Sequence, residues 1–73
     1  MKKIEKIEFK LKGEYIELIK LLKLLQIAES GGQSQLFVEE GEVMVNDTIE
    51  HRKRAKLRTG DVVRIFNFEI MIQ

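Results

Sequence analysis

The spacing of hydrophobic residues in the first part of the chain is that of a strand. Between residues 4 and 11, apolar side chains such as Ile7, Phe9 and Leu11 alternate with charged neighbours. A period of two is typical of a strand with one buried face. The lysines on the other face favour an edge position in a sheet. Gly13 is expected to end this strand.

A helical spacing follows from about residue 14 to residue 29. Leu18, Leu22 and Leu25 recur at steps of four and three, which places them on one side of a helix that we expect to pack in the core. Two acidic residues are expected in its first turn, where the helix dipole favours negative charge. They are Glu14 and Glu17.

A second, shorter helix is predicted from about Gly31 to Glu40. Ser30 can accept from a free amide of the first turn, and Gln33 can return a bond to the amide of Ser30, so the pair is a candidate capping box. Gly41 is expected to end the helix in a left-handed conformation. Within the helix, we expect Phe37 to be buried together with Leu36 or Val38.

The remainder of the chain predicts short strands. Residues 43–45 and 48–50 are expected to pair as a hairpin, because Asn46-Asp47 tolerates the positive φ of a tight turn. Two further strands are predicted at 62–66 and 68–72, with Asn67 as a tight turn between them or as a bulge in one long strand. The turn is the preferred interpretation.

The order of these features resembles a known RNA-binding family. A serine-capped helix is followed by Glu-Gly-x-Val-x-Val-Asn at residues 40–46, then by a basic run and by Gly-Asp-Val-Val at residues 60–63. This order is similar to that of the domain named after small-subunit ribosomal protein S4. The segments 22–24 (Leu-Lys-Leu) and 30–32 (Ser-Gly-Gly) resemble in particular its small free-standing bacterial members, which are associated with ribosomes. The resemblance spans about residues 15–66.

The resemblance implies an α+β fold with the αL motif, in which two packed helices lie on a small, mostly antiparallel sheet of four to five strands. It also implies that structured RNA docks on the helix pair and the adjacent loop. The positions that correspond to the family's RNA-binding residues are Lys23, Ser30, Gly31, Gly32, Gln33, Gln35, Arg52, Lys53 and Lys56. The chain departs from the family at two places. Gln35 stands where a lysine is usual, which removes a positive charge from the helix side. Arg54 stands in the loop where glycine is common, and its charge can partly offset that loss.

Charge is strongly segregated along the chain, although the formal net charge is only +1. Residues 51–58 carry five basic side chains and no acid, whereas residues 13–50 carry eight acids and two lysines. Such a cluster repels itself, and an anionic partner relieves this cost and releases counterions. The five cations are Arg52, Lys53, Arg54, Lys56 and Arg58. The alternative to an anion-binding role is that residues 51–58 form a solvated, mobile loop. Lys20 and Lys23, one helical turn apart, extend the cluster if they face the same way.

The Ser30-Gly31-Gly32 segment is a second candidate contact. Amides at a helix N-terminus favour a phosphate, and glycines leave room for one to approach. The alternative is that the glycines only allow the two helices to turn closely. The four phenylalanines are expected in the core or sheet, which argues against recognition of splayed single strands and favours recognition of RNA by shape.

The residues give little support for catalysis, metal binding or a membrane span. There is no cysteine, and no combination of nucleophile, base and tuned carboxylates is evident. His51 is interpreted as a surface histidine, and residues 39–42 as a solvated acidic helix end rather than a metal site. No apolar run approaches the length of a membrane span.

We therefore expect a single cytoplasmic domain over residues 1–73 that binds structured RNA, most simply ribosomal RNA, as a monomer without a cofactor or a small-molecule substrate. A protein-interaction module that docks a basic partner on its acidic helical face is the alternative. Binding of duplex DNA has less support, because no helix carries a basic face suited to the major groove.

Overall fold

A computed structural model of the chain describes residues 3–73 and contains two helices and seven strands within that range. The helices are α1 (Leu18–Leu24) and α2 (Gly31–Glu39). The strands are β1 (Glu5–Phe9), β2 (Ile16–Glu17), β3 (Val43–Val45), β4 (Thr48–Ile49), β5 (Lys56–Leu57), β6 (Val62–Ile65) and β7 (Phe68–Ile72). The α+β class predicted from the sequence is confirmed.

Five of the strands form one sheet in the order β1, β7, β6, β3, β4. The β1 strand runs parallel to β7, and all other pairs in this sheet are antiparallel. The position of β1 at one edge is as predicted. The pairing register places Ile7, Ile70, Val63 and Val45 in one row across four strands. Side chains in such a row share one face of the sheet.

The two helices pack against each other and contribute to one core with that sheet. Leu18, Leu21 and Leu22 of α1 and Val38 of α2 have no solvent exposure. Fully burying a leucine or valine side chain contributes about 1.5–3 kcal/mol relative to leaving it exposed. These four side chains are therefore a substantial part of the core that stabilises a chain of this size.

The first helix is much shorter than the predicted range of 14–29. Its N-terminus is set by a distant segment: Ile16 and Glu17 pair with Leu57 and Lys56, and the helix begins only at Leu18. The prediction that Glu14 and Glu17 lie in the first turn was wrong. Glu17 is the N-cap residue and makes no side-chain capping bond.

The C-terminus of α1 is set by a left-handed residue that is not glycine. Gln26 has φ 59°, its amide donates to the Lys23 carbonyl, and the Ile27 amide donates to the Leu22 carbonyl. These two bonds form a Schellman motif, which satisfies the last carbonyls of a helix. The chain then turns through residues 25–30 before α2 begins.

The second helix has nearly the predicted bounds. Gly41 adopts φ +76°, and the amides of Gly41 and Glu42 donate to Val38 and Phe37 in a second Schellman motif. Val38 is fully buried, whereas Phe37 is half-buried and Leu36 is exposed.

Both predicted tight turns are present. Asn46 and Asp47 have φ 50° and 68° between β3 and β4, as expected for this dipeptide. A turn at Phe66 and Asn67 joins β6 to β7, which confirms the preferred interpretation. Phe66, however, belongs to the turn and not to a strand, and 55% of its surface is exposed, so its assignment to the core or sheet was wrong.

Candidate nucleic-acid interface

The segment 51–58, which we call the basic loop, is anchored to the fold at several points. Leu57, its one large apolar residue, is buried, and Ala55 is buried as well. Lys56 and Leu57 form the strand β5, which pairs with β2. The backbone carbonyls of Ala55 and Lys53 accept from the first amides of α1, those of Leu18 and Ile19, at 2.9 and 3.1 Å. The alternative of a loosely attached, mobile loop does not fit this arrangement.

Arg52 forms an ion pair with Glu50, the residue directly before the basic loop. Its guanidinium donates two hydrogen bonds of 3.0 Å to the two carboxylate oxygens of Glu50, and its backbone amide donates a third. Donation from the Arg52 side chain lowers the pKa of the Glu50 carboxyl below its usual value, against the opposing effect of partial burial. Arg52 is therefore less available to an anion than the sequence suggests.

The next two cations of the loop are free. Lys53 and Arg54 are exposed, and within residues 3–73 neither forms an ion pair with a carboxylate. Arg54 borders a shallow depression of about 460 Å³. Its other lining residues are Arg52, Ala55, Lys56 and Arg58. The loop thus presents a cationic surface with a fixed backbone beneath it.

The last two cations of the loop lie over an aromatic ring. The Lys56 Nζ atom is 4.8 Å from the ring centroid of Tyr15, and the central guanidinium carbon of Arg58 is 5.9 Å from it. Both distances are in the range of cation–π attraction. Tyr15 was not among the predicted site residues. It is 41% exposed, and the pairing of β2 with β5 is what brings it to the loop.

The lysines of α1 continue this surface. Lys20 and Lys23 are both exposed and line one depression together with Leu24 and Gln26, so they face the same way. Lys20 directly follows Ile19, whose amide is bonded to the Lys53 carbonyl. The α1 lysines therefore lie beside the basic loop and face the same way. This is the condition under which they were predicted to extend its positive surface.

The N-terminus of α2 lies on the same side of the molecule as Lys23. Lys23 borders a further depression with Gln26, Ala28 and Glu29, and Glu29 directly precedes the N-cap residue Ser30. The Ser30 hydroxyl accepts from the Gln33 amide at 3.1 Å, as the capping prediction required. The return bond differs, because Gln33 Oε1 accepts from the amide of Glu29 and not from that of Ser30.

The two glycines at this helix start are not required by the packing. A Cβ atom added at Gly31 would meet nothing within 4 Å, and one at Gly32 would meet only the Ser30 hydroxyl at 3.9 Å. Close approach of the two helices therefore does not account for them. Both residues are exposed, and their amides are among those at the start of a helix that have no intrahelical acceptor.

The two glutamines predicted to bind RNA are both engaged within the chain. Gln33 is held by the bond to Glu29, and Gln35 donates from its side-chain amide to the Glu39 carboxylate at 3.0 Å. Each bond uses only part of a side-chain amide, so both glutamines keep further donors with which to contact RNA.

Other residues of the sequence motif stabilise the scaffold. Asn46 donates from its side-chain amide to Asp61 at 3.0 Å and accepts from the Val62 amide at 2.9 Å. The second carboxylate oxygen of Asp61 accepts from the Arg58 amide at 2.8 Å. The asparagine and aspartate of the motif thus tie the β3–β4 turn to the strand β6 and to the end of the basic loop.

Within residues 3–73, no group of three or more histidine, cysteine, aspartate or glutamate side chains is placed to hold a metal ion. No helix in the described part of the chain is long and apolar enough to cross a membrane. His51 is exposed, in line with its interpretation as a surface residue.

Comparisons with known proteins agree with the fold and the motif. The S4 domain family model matches residues 9–73. The "Probable ribosome maturation protein RlbA" of Bacillus subtilis (strain 168) is 46% identical over 55 residues, which cover 75% of this chain and 78% of that protein. The "Putative RNA-binding protein YbcJ" of Escherichia coli (strain K12) is 36% identical over 61 residues, which cover 84% of this chain and 87% of that protein.

The solution structure of YbcJ from E. coli, described as revealing an αL motif involved in RNA binding, aligns with a TM-score of 0.66 at 32% identity. The alignment covers 99% of this chain and 90% of that one. The resemblance to small S4-like proteins that the sequence motif indicates is thereby confirmed.

Proposed function

The chain belongs to the S4 domain family, and on this premise we propose that it is a non-enzymatic module that binds structured RNA. Its partner is ribosomal RNA, and its role is in ribosome assembly or function. In this proposal residues 1–73 act as a single cytoplasmic domain, as a monomer and without a cofactor or a small-molecule substrate. The names of its relatives, one for ribosome maturation and one for RNA binding, support this assignment.

The observation that carries the proposal is the anchored basic loop. A loop whose carbonyls cap α1 cannot move freely, so the backbone that carries Lys53 and Arg54 is held in place before any partner arrives. A preorganised backbone loses less conformational entropy on binding than a mobile one. Each phosphate that they neutralise releases counterions from the RNA.

The contact surface in this proposal runs from the basic loop across α1 to the start of α2. Lys53 and Arg54 receive the main phosphate contacts, and Lys20 and Lys23 extend them along the RNA. The free amides of Gly31 and Gly32 receive one further phosphate. Arg52 contributes less, because Glu50 already holds it. Exposed acids such as Glu39, Glu40 and Glu42 lie at or just after the C-terminal end of α2 and repel RNA from other orientations.

The test is binding of the purified protein to fragments of ribosomal RNA, and to a matched DNA duplex, across a series of salt concentrations. The variant Lys53→Ala/Arg54→Ala removes two exposed cations from the loop. We expect it to bind RNA more weakly, and its log–log salt dependence to be shallower by about two units, one for each lost phosphate contact.

The chain offers a control with the same change in charge. Lys3 and Lys6 are also exposed, but they lie before and within the edge strand β1. The variant Lys3→Ala/Lys6→Ala should bind RNA nearly as the wild type does. Equal losses in the two variants would mean that only total charge matters, and no RNA binding by the wild type at low salt would shift attention to a protein partner of the acidic face.

A further inference from the structure

A cleft of about 550 Å³ lies between the end of β1 and the start of α1, next to the basic loop. Its walls combine an exposed aromatic ring, apolar side chains and lysines. The residues that matter for its chemistry are Lys10, Lys12, Tyr15, Ile16, Lys20 and Leu24. We call it the Tyr15 cleft. Apart from Lys20, none of these residues is among the phosphate contacts proposed above.

The ring of Tyr15 is held in place without being buried. Tyr15 directly precedes β2, whose pairing with β5 fixes the local backbone. Lys56 and Arg58 lie within cation–π distance of the ring. An aromatic side chain that stays 41% exposed in so small a protein gives up part of the stabilisation that burial provides. A positioned, exposed ring is what a stacking partner needs.

The charge of the cleft favours an anion. Three lysines line it, Lys10, Lys12 and Lys20, against one acid, Glu17. Within residues 3–73 none of these lysines forms an ion pair. Lys56 and Arg58 add further positive charge beside the ring. An occupant is therefore expected to carry negative charge next to a planar group.

The size and the apolar wall of the cleft further limit which ligands can bind there. A volume of about 550 Å³ lies within the range of pockets that enclose small ligands. Ile16 is half-buried, and Leu24 is 63% exposed beside the lysines, so the cleft offers apolar contact as well as charge. A nucleotide combines a planar, largely apolar base with a phosphate.

We propose that the Tyr15 cleft receives one unpaired nucleotide of the bound RNA, with the base stacked on Tyr15 and the flanking phosphates on Lys10, Lys12 and Lys20. This inference rests on the proposed RNA-binding function and refines its substrate class. The preferred RNA is a duplex with an unpaired nucleotide at its end or in a bulge. The sequence argument against stacking rested on the four phenylalanines, and Tyr15 supplies an exposed ring outside that set.

The experiment compares two probes, a blunt RNA duplex and the same duplex with a short single-stranded overhang. Stacking of one base on an aromatic side chain should make the wild type bind the overhang probe at least about fivefold more tightly. Tyr15→Ala should lose this preference while it still binds the blunt duplex. Tyr15→Phe should keep it, because the ring and not the hydroxyl makes the contact. Lys53→Ala/Arg54→Ala should weaken binding to both probes by the same factor.

A second readout is specific to the site, because the chain contains one tyrosine and no tryptophan. In protein labelled with ¹³C at tyrosine, the ring signals belong to Tyr15 alone. They should move upfield on addition of the overhang probe, through the ring current of the stacked base, and much less with the blunt duplex.

Several results would overturn the inference. They are equal affinity of the wild type for the two probes, an equal loss on both in Tyr15→Ala, or ring signals that do not respond to the overhang. If the blunt duplex binds and the overhang adds nothing, only the Tyr15 cleft is refuted. If neither probe binds, the proposed RNA-binding function fails and the inference fails with it.

Discussion

The glycine pair at the start of α2 permits a test in which stability and binding should change in opposite directions. Neither Gly31 nor Gly32 has a positive φ, and each has room for a Cβ atom. Replacing glycine with alanine at a compatible position stabilises a protein by about 0.4–1 kcal/mol, because the unfolded chain loses freedom. The variant Gly31→Ala/Gly32→Ala should therefore gain about 1–2 kcal/mol in free energy of unfolding.

For a domain of this size, that gain corresponds to an increase in melting temperature of about 5–15 °C. Urea unfolding followed by circular dichroism at the helix band measures the free energy, and a thermal scan measures the shift. RNA binding should move the other way. Two methyl groups would stand where a phosphate approaches the free amides of Gly31 and Gly32, and loss of such charge-assisted bonds should weaken binding by about tenfold.

A matched control is available at another exposed glycine. Gly60 has φ +100° and open space around it, so Gly60→Ala differs from the α2 variant mainly in backbone conformation. It should destabilise the fold by about 1 kcal/mol or more, because an L-residue is strained there. If the α2 variant lost stability, the assignment of its backbone would be wrong. If it became more stable and bound RNA as tightly as the wild type, the helix start would not be a phosphate contact.

Three further predictions concern stability and are all measured by urea unfolding. Gln26→Gly should raise the free energy of unfolding by about 0.5–1 kcal/mol, since it removes left-handed strain of about 1–2 kcal/mol at a small entropic cost, and an unchanged value would contradict that strain. Ser34→Ala should stabilise by about 1 kcal/mol, because the Ser34 hydroxyl is fully buried and has no hydrogen-bond partner within residues 3–73, and a loss of stability would reveal a partner. The lowered pKa of Glu50 contributes stability above the ordinary glutamate pKa, and this contribution is lost as the pH falls through the lower, folded-state pKa. The stability difference between wild type and Glu50→Gln should therefore shrink on acidification, and a constant difference would show that the ion pair with Arg52 has no effect.

The contrast between the two helices shows which parts of the fold can be predicted from local sequence. The signals that bound α2 are local, a serine at the N-cap and a glycine after the last turn, and its predicted bounds were nearly correct. The start of α1 depends on β2 pairing with β5, about 40 residues away along the chain. Its end depends on Gln26 in a conformation that usually signals glycine. Helical spacing alone could reveal neither boundary.

The same distinction holds for the candidate site. Exposure of the loop cations could be predicted, because a run with one strong apolar residue has little to bury. Capture of Arg52 by Glu50 involves residues two positions apart, and the bidentate geometry available to arginine and carboxylate is a signal that could have indicated it. The contact of Tyr15 with Lys56 and Arg58 joins segments that only the β2–β5 pairing brings together, so no local pattern indicated it.

Different residues of the basic loop anchor it to the core and carry its charge. The loop can therefore have exposed cationic side chains and a fixed backbone. Ala55 and Leu57 are buried, and the carbonyls of Lys53 and Ala55 cap α1, so the backbone and small or apolar side chains attach the loop to the core. The cationic side chains are left to solvent. Substitutions of Lys53 and Arg54 should therefore change affinity with little effect on folding, whereas Leu57→Ala should destabilise the domain by about 2–5 kcal/mol and, by freeing the loop, weaken RNA binding without removing any charge.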